Sequence, residues 1–446
     1  MLKNRITNIL ACLGLLLATS CQAAAVPASQ TPTKIAAPAT ASAIPIPSPT
    51  VTPQQVILPT DSIIQNQCPE ISAQFIPGDS TKGILAIQGR SGRDRLLNLE
   101  TGKKDLLGGG GPVVSPSRSQ VAYWGADQNT GRPFLVVSTS DNAQLKQLPL
   151  QKGWVTMPRW QDDQHLLIRL DSASPPYSIT LLNPFTGETQ ELAPDFPNIS
   201  SSYVDWDYAG PAAYDLTMDY VVYAAGDGNT DEYILWNIST KTKIASLPGS
   251  SYIGYYLSAS PNLQKKDGVS NNPPRWSPDD SRVALISPVS AEQVSVDEIF
   301  AITKDGQIQR LTYFANHFKE VQIGDMGWSP DGKKIAFWVT LEPAPYESPQ
   351  GAYQDPRLAI LNTETLEITY TCISGDSIGL LNGISSAKFR SMNIPAPIWS
   401  PDGKQIVVEN RYTIDASRLI LLDIASGTAV ELGKDMEPTG WMLPGK

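Results

Sequence analysis

The pentapeptide Trp-Ser-Pro-Asp-Gly stands at residues 328–332 and again at 399–403, with a near copy ending in Asp-Asp at 276–280, and an apolar run follows each within a few residues. A unit of this kind has an apolar face that it cannot bury alone. It must stack on copies of itself, and repeats of roughly 40 to 50 residues are those of propeller blades.

The copy at Trp328 supplies the anatomy. A strand ends at the tryptophan, a tight turn follows, and further strands are predicted at 335–339, 358–362 and 366–371. Proline sets φ at the first corner of the turn, and glycine tolerates the positive φ at its end. Asp331 and Asp402 are expected to bond the turn backbone, not to act in catalysis.

The same succession recurs seven times. Second strands are predicted at 84–87, 121–124, 166–169, 220–224, 283–287, 335–339 and 406–409. Third strands follow at 95–99, 134–138, 179–183, 233–237, 299–303, 358–362 and 418–423. Short polar turns such as Thr101-Gly102 and Asp305-Gly306 precede most fourth strands, which is an all-β signal.

First strands have eight candidates for seven units: 71–75, 112–115, 155–160, one before Asp215, 275–276, 327–328, 398–399 and 439–442. The last delivers Trp441 and little else. A terminal strand of this kind completes the first blade and leaves no open edge. The expectation is a seven-bladed β-propeller over residues 63–446, closed by its C-terminal strand. Six blades is the alternative, because the unit near Tyr214 is degenerate and the N-terminal unit lacks the motif.

The motif followed by an Ile-Ala-Phe strand, as at 328–337, resembles the repeat of TolB-type propellers, found also in the propeller portions of prolyl oligopeptidase-like enzymes. The resemblance covers about residues 70–446. It implies protein or peptide binding in the cell envelope. No α/β domain is read ahead of the repeats and no hydrolase domain after them, so peptidase activity is not among the expectations.

Residues 1–20 read as an export signal: Lys3 and Arg5 make a basic start and 6–18 carry no charge. The run Ala18-Thr19-Ser20-Cys21 resembles the lipobox of bacterial lipoproteins, with Ala18 where leucine is usual. Cys21 is the expected lipidation site, and ordinary cleavage after Ala23 or Ala25 is the alternative. Within the linker of residues 21–62, residues 22–60 hold eight prolines, one charged residue (Lys34) and no aromatic, a composition that cannot bury enough surface to order itself and acts as a semi-stiff tether. The expected location is outside the cytoplasm, lipid-anchored on the outer side of the cytoplasmic membrane or on the outer membrane or surface of a bacterial cell.

Losing Lys3 and Arg5 with the signal takes the formal charge from -10 to -12. An acidic chain is a poor partner for phosphate backbones, so nucleic acid is set aside. Cys68 and Cys372 remain as cysteines of the exported domain, where disulfides persist. They form either a bridge that pins the start of the domain to a late blade or two buried free thiols.

The chain has two histidines, His165 and His317. Neither has a partner at metal-protease spacing, and His165, opening a strand, reads as structural. Residues 375–379 match Gly-x-Ser-x-Gly, but no histidine follows Ser377 as an α/β-hydrolase requires. Residues 227–232 cluster oxygen ligands without the order of an EF-hand loop, leaving calcium as the one cofactor considered and none expected. Residues 108–111, four glycines, read as a flexible connection and not a phosphate cradle.

Length variation falls on the loops between second and third strands and between blades, which emerge on one face. Long loops on a rigid scaffold concentrate binding residues, and these carry Trp206, Tyr208, Tyr252, Tyr255, Tyr256, Tyr346 and Tyr353. The functional expectation is a non-enzymatic, monomeric, membrane-tethered propeller that binds an envelope protein, peptide or glycan on that face. The alternatives are a polysaccharide lyase or hydrolase with titratable side chains converging in the channel, and a structural envelope component.

Overall fold

The computed structural model of the chain describes residues 64–444 apart from 73–74, 79–80, 90–93, 128, 150–157, 170–178, 193–196, 198–211, 226–231, 249–273, 292–293, 320, 342–355, 376–395 and 414–415. The described regular structure is β, save a three-residue 3-10 turn at Phe314–Asn316.

Among the described residues the strands assemble as seven four-stranded antiparallel units in chain order. All seven expected second strands are present: Ile84–Gly89, Gln120–Ala126, Leu166–Arg169, Tyr220–Ala225, Arg282–Ala291, Lys334–Leu341 and Gln405–Thr413. The third strands are Arg95–Asn98, Pro133–Thr139, Ile179–Leu182, Glu232–Asn237, Val294–Thr303, Arg357–Asn362 and Ala416–Asp423. The fifth and sixth units join into one larger sheet through a parallel bridge, Val296 to Val321.

These middle strands read as near-continuous apolar runs because both faces are covered. Side chains alternate across a strand, and in Lys334–Leu341 the alternation divides the strand between two neighbours. Ile335, Phe337 and Val339 share a core with Ala284, Ile286 and Ile299 of the preceding unit. Ala336 and Trp338 share another with Ile406, Val408 and Ile420 of the following one. The same division recurs at every junction, and one cluster joins Leu85 and Ile87 of the first unit to Val407 and Leu421 of the seventh.

The first strand of the first unit is the last strand of the chain. Met436–Met442 pairs antiparallel with Ile84–Gly89, setting Trp441 opposite Leu85. The expected first strand at 71–75 is placed elsewhere. Ile71–Ser72 lies parallel to Thr428–Lys434 on the outer edge of the seventh unit, and Ile64–Gln67 lies parallel to Ile368–Ser374 on the outer edge of the sixth. An N-terminal segment entering outside the sheets meets unpaired outer edges first, which is why these residues pair there.

Cys68 and Cys372 are disulfide-bonded, with Cα atoms 4.7 Å apart. The parallel register that sets Gln67 beside Thr371 brings the next residues together. The four glycines at 108–111 also depart from expectation. Gly109, Gly110 and Gly111 belong to the strand Gly109–Val114, because the backbones run too close for side chains. A Cβ on Gly109 would lie 1.6 Å from the Trp124 carbonyl oxygen, and the Gly111 N–H donates to Asp94 Oδ2 at 2.7 Å.

The tryptophans that define the repeat tie each first strand to the one before it. Trp160 donates its indole N–H to the Val113 carbonyl at 3.0 Å, Trp276 to Ala213 at 3.0 Å, Trp328 to Arg275 at 2.8 Å and Trp399 to Gly327 at 2.9 Å. Trp441 differs and donates to Lys82 of its own unit at 3.1 Å. A buried indole N–H needs a partner, and a first strand supplies one only if it lies close. Gly327 permits that approach, since a Cβ there would stand 2.4 Å from the Pro397 carbonyl oxygen.

Trp399→Phe keeps an aromatic ring and removes the donor facing Gly327, so it should cost about 1 to 3 kcal/mol in urea unfolding; an unchanged midpoint would separate this bond from stability. The bridge encloses a sequence separation of 304 residues. Replacing Cys68 and Cys372 with serine is expected to remove about 2 to 5 kcal/mol, measured by the same unfolding curve.

Candidate ligand site at the first strands

Each first strand delivers the chain into a turn whose chemistry follows from its sequence. In the sixth unit the Ser329 hydroxyl donates to Asp331 Oδ1 at 2.6 Å, Asp331 accepts the Lys333 N–H at 3.1 Å, and Ser329 Oγ accepts the Lys334 N–H at 2.9 Å. Ser400 and Asp402 repeat the arrangement. The aspartates are therefore bonded within the turn. Gly332 and Gly403 take φ of 68° and 70°, and Arg118, Met218 and Asp280 occupy the same left-handed position in other units.

The degenerate fourth unit rebuilds the turn with other groups. Asp215, fully buried, accepts the Tyr220 N–H at 2.9 Å, the place taken by Ser115, Ser277, Ser329 and Ser400 in the second, fifth, sixth and seventh units. Its charge is met by Lys304 Nζ at 2.7 Å, which also lies 2.8 Å from Asp280 of the fifth unit. Burial alone would lower Lys304, but hydrogen bonds to the two carboxylates hold it above its ordinary value.

The first strands and their turns enclose one cavity of about 490 Å³, to which all seven units contribute. Its wall includes Trp160, Tyr214, Trp276, Trp328, Trp399 and Trp441, from six units, and Val114 and Ser115 from the second. Three arginines reach it: Arg118, Arg159 and Arg275. Among the described residues its lining holds no histidine, lysine or carboxylate.

The three arginines differ in their partners. Arg275 makes a two-point contact with Asp325, Nε to Oδ1 at 3.3 Å and Nη2 to Oδ2 at 2.6 Å. Arg118 donates to the Trp399 carbonyl at 3.3 Å, and its own carbonyl accepts the Leu443 N–H at 2.8 Å. Arg159 has neither an ion pair nor a hydrogen bond from its guanidinium among the described residues. Burial first, and Arg275 second, bring Arg159 down to about 10, with Asp325 acting the other way.

The expected ligand-binding residues Trp206, Tyr208, Tyr252, Tyr255, Tyr256, Tyr346 and Tyr353 lie outside the described residues, as do Cys21, Ser377 and residues 227–231. Glu232 is in a strand and pairs with Lys243 at 3.0 Å. His165 closes a turn, its Nδ1 2.9 Å from Asp162 Oδ2. His317 follows the 3-10 turn with its ring 6.2 Å from that of Phe318. The arginines were not anticipated from sequence. Their one signal is that Arg159 and Arg275 each immediately precede a repeat tryptophan.

No family model and no curated protein matches the chain. Among solved structures it is similar to TolB from Acinetobacter baumannii, at 14% identity and a TM-score of 0.42, with 79% of each chain covered. It is similar to the β-propeller domain of the Trilobed protease from Pyrococcus furiosus, at 12% identity and a TM-score of 0.38, covering 70% of this chain and 80% of that one. A third is the periplasmic gluconolactonase PpgL from Pseudomonas aeruginosa, at 12% identity and a TM-score of 0.41, covering 81% and 97%. All three are similarities at low identity, and two of the three names are those of enzymes.

At Asp331 and Asp402 burial pushes the carboxyl upward, but bonds from the serine hydroxyl and the turn N–H outweigh it and hold the group below the usual range. At Asp279 the Ser277 hydroxyl is the largest influence, also downward. A carboxyl depressed on folding stabilises the fold above its unfolded value near 4 and loses that contribution as pH falls through its folded value. The urea midpoint should therefore fall on acidification below about pH 4, and less steeply when Asp331 and Asp402 are both asparagine; identical acid limbs would remove these turns from the account.

Proposed function

We propose that the chain is an exported, membrane-tethered seven-bladed propeller, closed by Met436–Met442, whose work is binding and not turnover. The succession of seven cores, one of them between the last unit and the first, supports the closed reading. Lipidation at Cys21 and the stalk of residues 21–62 would hold the domain outside the membrane, as a monomer facing an envelope protein, peptide or glycan.

The observation that carries the binding reading is the lining of the axial cavity. Its charged side chains, among the described residues, are arginines, and burial pushes the Tyr214 hydroxyl beside them up to about 12. The Arg159 guanidinium, at about 10, stays protonated at neutral pH, so it holds an anion or a polar group well and exchanges protons poorly. Tyr252, Tyr255 and Tyr256 are proposed as further ligand contacts on sequence grounds, since tyrosine joins apolar area to a hydroxyl.

The test is capture from envelope extract by the full chain, followed by mass spectrometry of whatever is retained after short and long incubation. The reading predicts one unmodified ligand at both times, recovered less well by the variant with Tyr252, Tyr255 and Tyr256 replaced by alanine. A ligand recovered cleaved or otherwise altered would contradict it.

A further inference from the structure

Arg159 sits in the two-residue strand Arg159–Trp160 and is only partly exposed, its open side being the axial cavity. A cation withdrawn from water without a partner is costly, and proteins ordinarily pair such groups. Neighbouring Arg275 follows that rule through Asp325, and Arg118 spends an N–H on the Trp399 carbonyl. Among the described residues Arg159 makes no such bond, and Asp325 acts on it only through its field. Three guanidinium groups thus converge on one cavity, with one carboxylate beside them, in a chain whose formal charge is -10. The positive lining is therefore not the spill-over of a basic surface.

We infer that the axial cavity is a carboxylate-binding site anchored by Arg159, with Arg118 and Arg275 adding positive field around it. The planar guanidinium fork matches a carboxylate at two points. Each of these first strands is a sheet edge, paired on one side only, so inorganic phosphate is the competing anion, and titration separates the two. The aromatic walls at Tyr214, Trp276 and Trp328 suit the carbon skeleton of an organic acid. A cavity of about 490 Å³ fits a small acid or the terminal residue of a longer chain. This assignment deepens the binding reading and rests on it.

The experiment is titration calorimetry on the purified full chain with D-glucuronate, acetylglycine, inorganic phosphate and D-glucose. Glucuronate and acetylglycine separate a sugar acid from a peptide terminus as the source of the carboxylate, and glucose is the uncharged control. At least one carboxylate should bind, more tightly than phosphate or glucose, and Arg159→Gln should weaken it by roughly tenfold or more. Arg159→Lys, which keeps the charge and loses the fork, should fall between. Without ligand, Arg159→Gln should melt at or above the temperature of the unaltered chain, because it removes a desolvated charge that makes no ion pair among the described residues.

Equal binding by Arg159→Gln, binding of phosphate or glucose as tightly as of either carboxylate, or no binding of either carboxylate would overturn the assignment. A marked fall in the ligand-free melting temperature of Arg159→Gln would also overturn it, by revealing an internal partner. These outcomes leave capture from envelope extract untouched, so the cavity assignment can fail while the broader reading stands.

Discussion

An indole N–H buried between two sheets must find an acceptor, and in this chain it finds the backbone of the preceding first strand. Four tryptophans obey that rule in turn, at Val113, Ala213, Arg275 and Gly327. A side chain that reaches across a junction fixes the distance between strands, and repetition fixes the spacing all the way along. The cavity is what remains inside when the first strands are held at that spacing. Its aromatic wall and its arginines follow from the same constraint, since the residues before the tryptophans include Arg159 and Arg275.

Where the motif decays, other groups carry the junction. Tyr214 takes the place of tryptophan in the fourth unit, and Asp215, Lys304 and Asp280 form a charged link between the fourth and fifth. At the first unit the C-terminal strand ends without a turn of its own. There Arg118 reaches the Trp399 carbonyl while accepting the Leu443 N–H. The N-terminal segment works from outside, along the outer edges of the sixth and seventh units, and the Cys68–Cys372 disulfide secures it.

The middle strands were legible because their information is local: apolar runs such as Ile335 to Val339 sit between turns whose residues dictate the geometry. Trp276, Trp328 and Trp399 marked first strands for the same reason. The misread segments depend on what lies far away in sequence. Residues 71–72 look like a first strand, but that place is taken by 436–442, so they add to an outer edge instead. The glycines at 109–111 look like a linker because nothing nearby reveals that Trp124 and Asp94 press against them. The site was the least legible. Arg159 and Arg275 are 116 residues apart, and no spacing rule announces that two residue pairs, Arg-Trp and Arg-Trp, will face one cavity.

The central claim is that the C-terminal strand is an integral part of the first unit and holds the seventh against it. Native-state hydrogen exchange addresses this most directly. If the claim is right, the amides of Met436–Met442 engaged with Ile84–Gly89 exchange as slowly as those of Lys334–Leu341, through the same global opening. Fast exchange of 436–442 while 84–89 and 334–341 remain protected would mean a loosely attached tail, and would contradict the account.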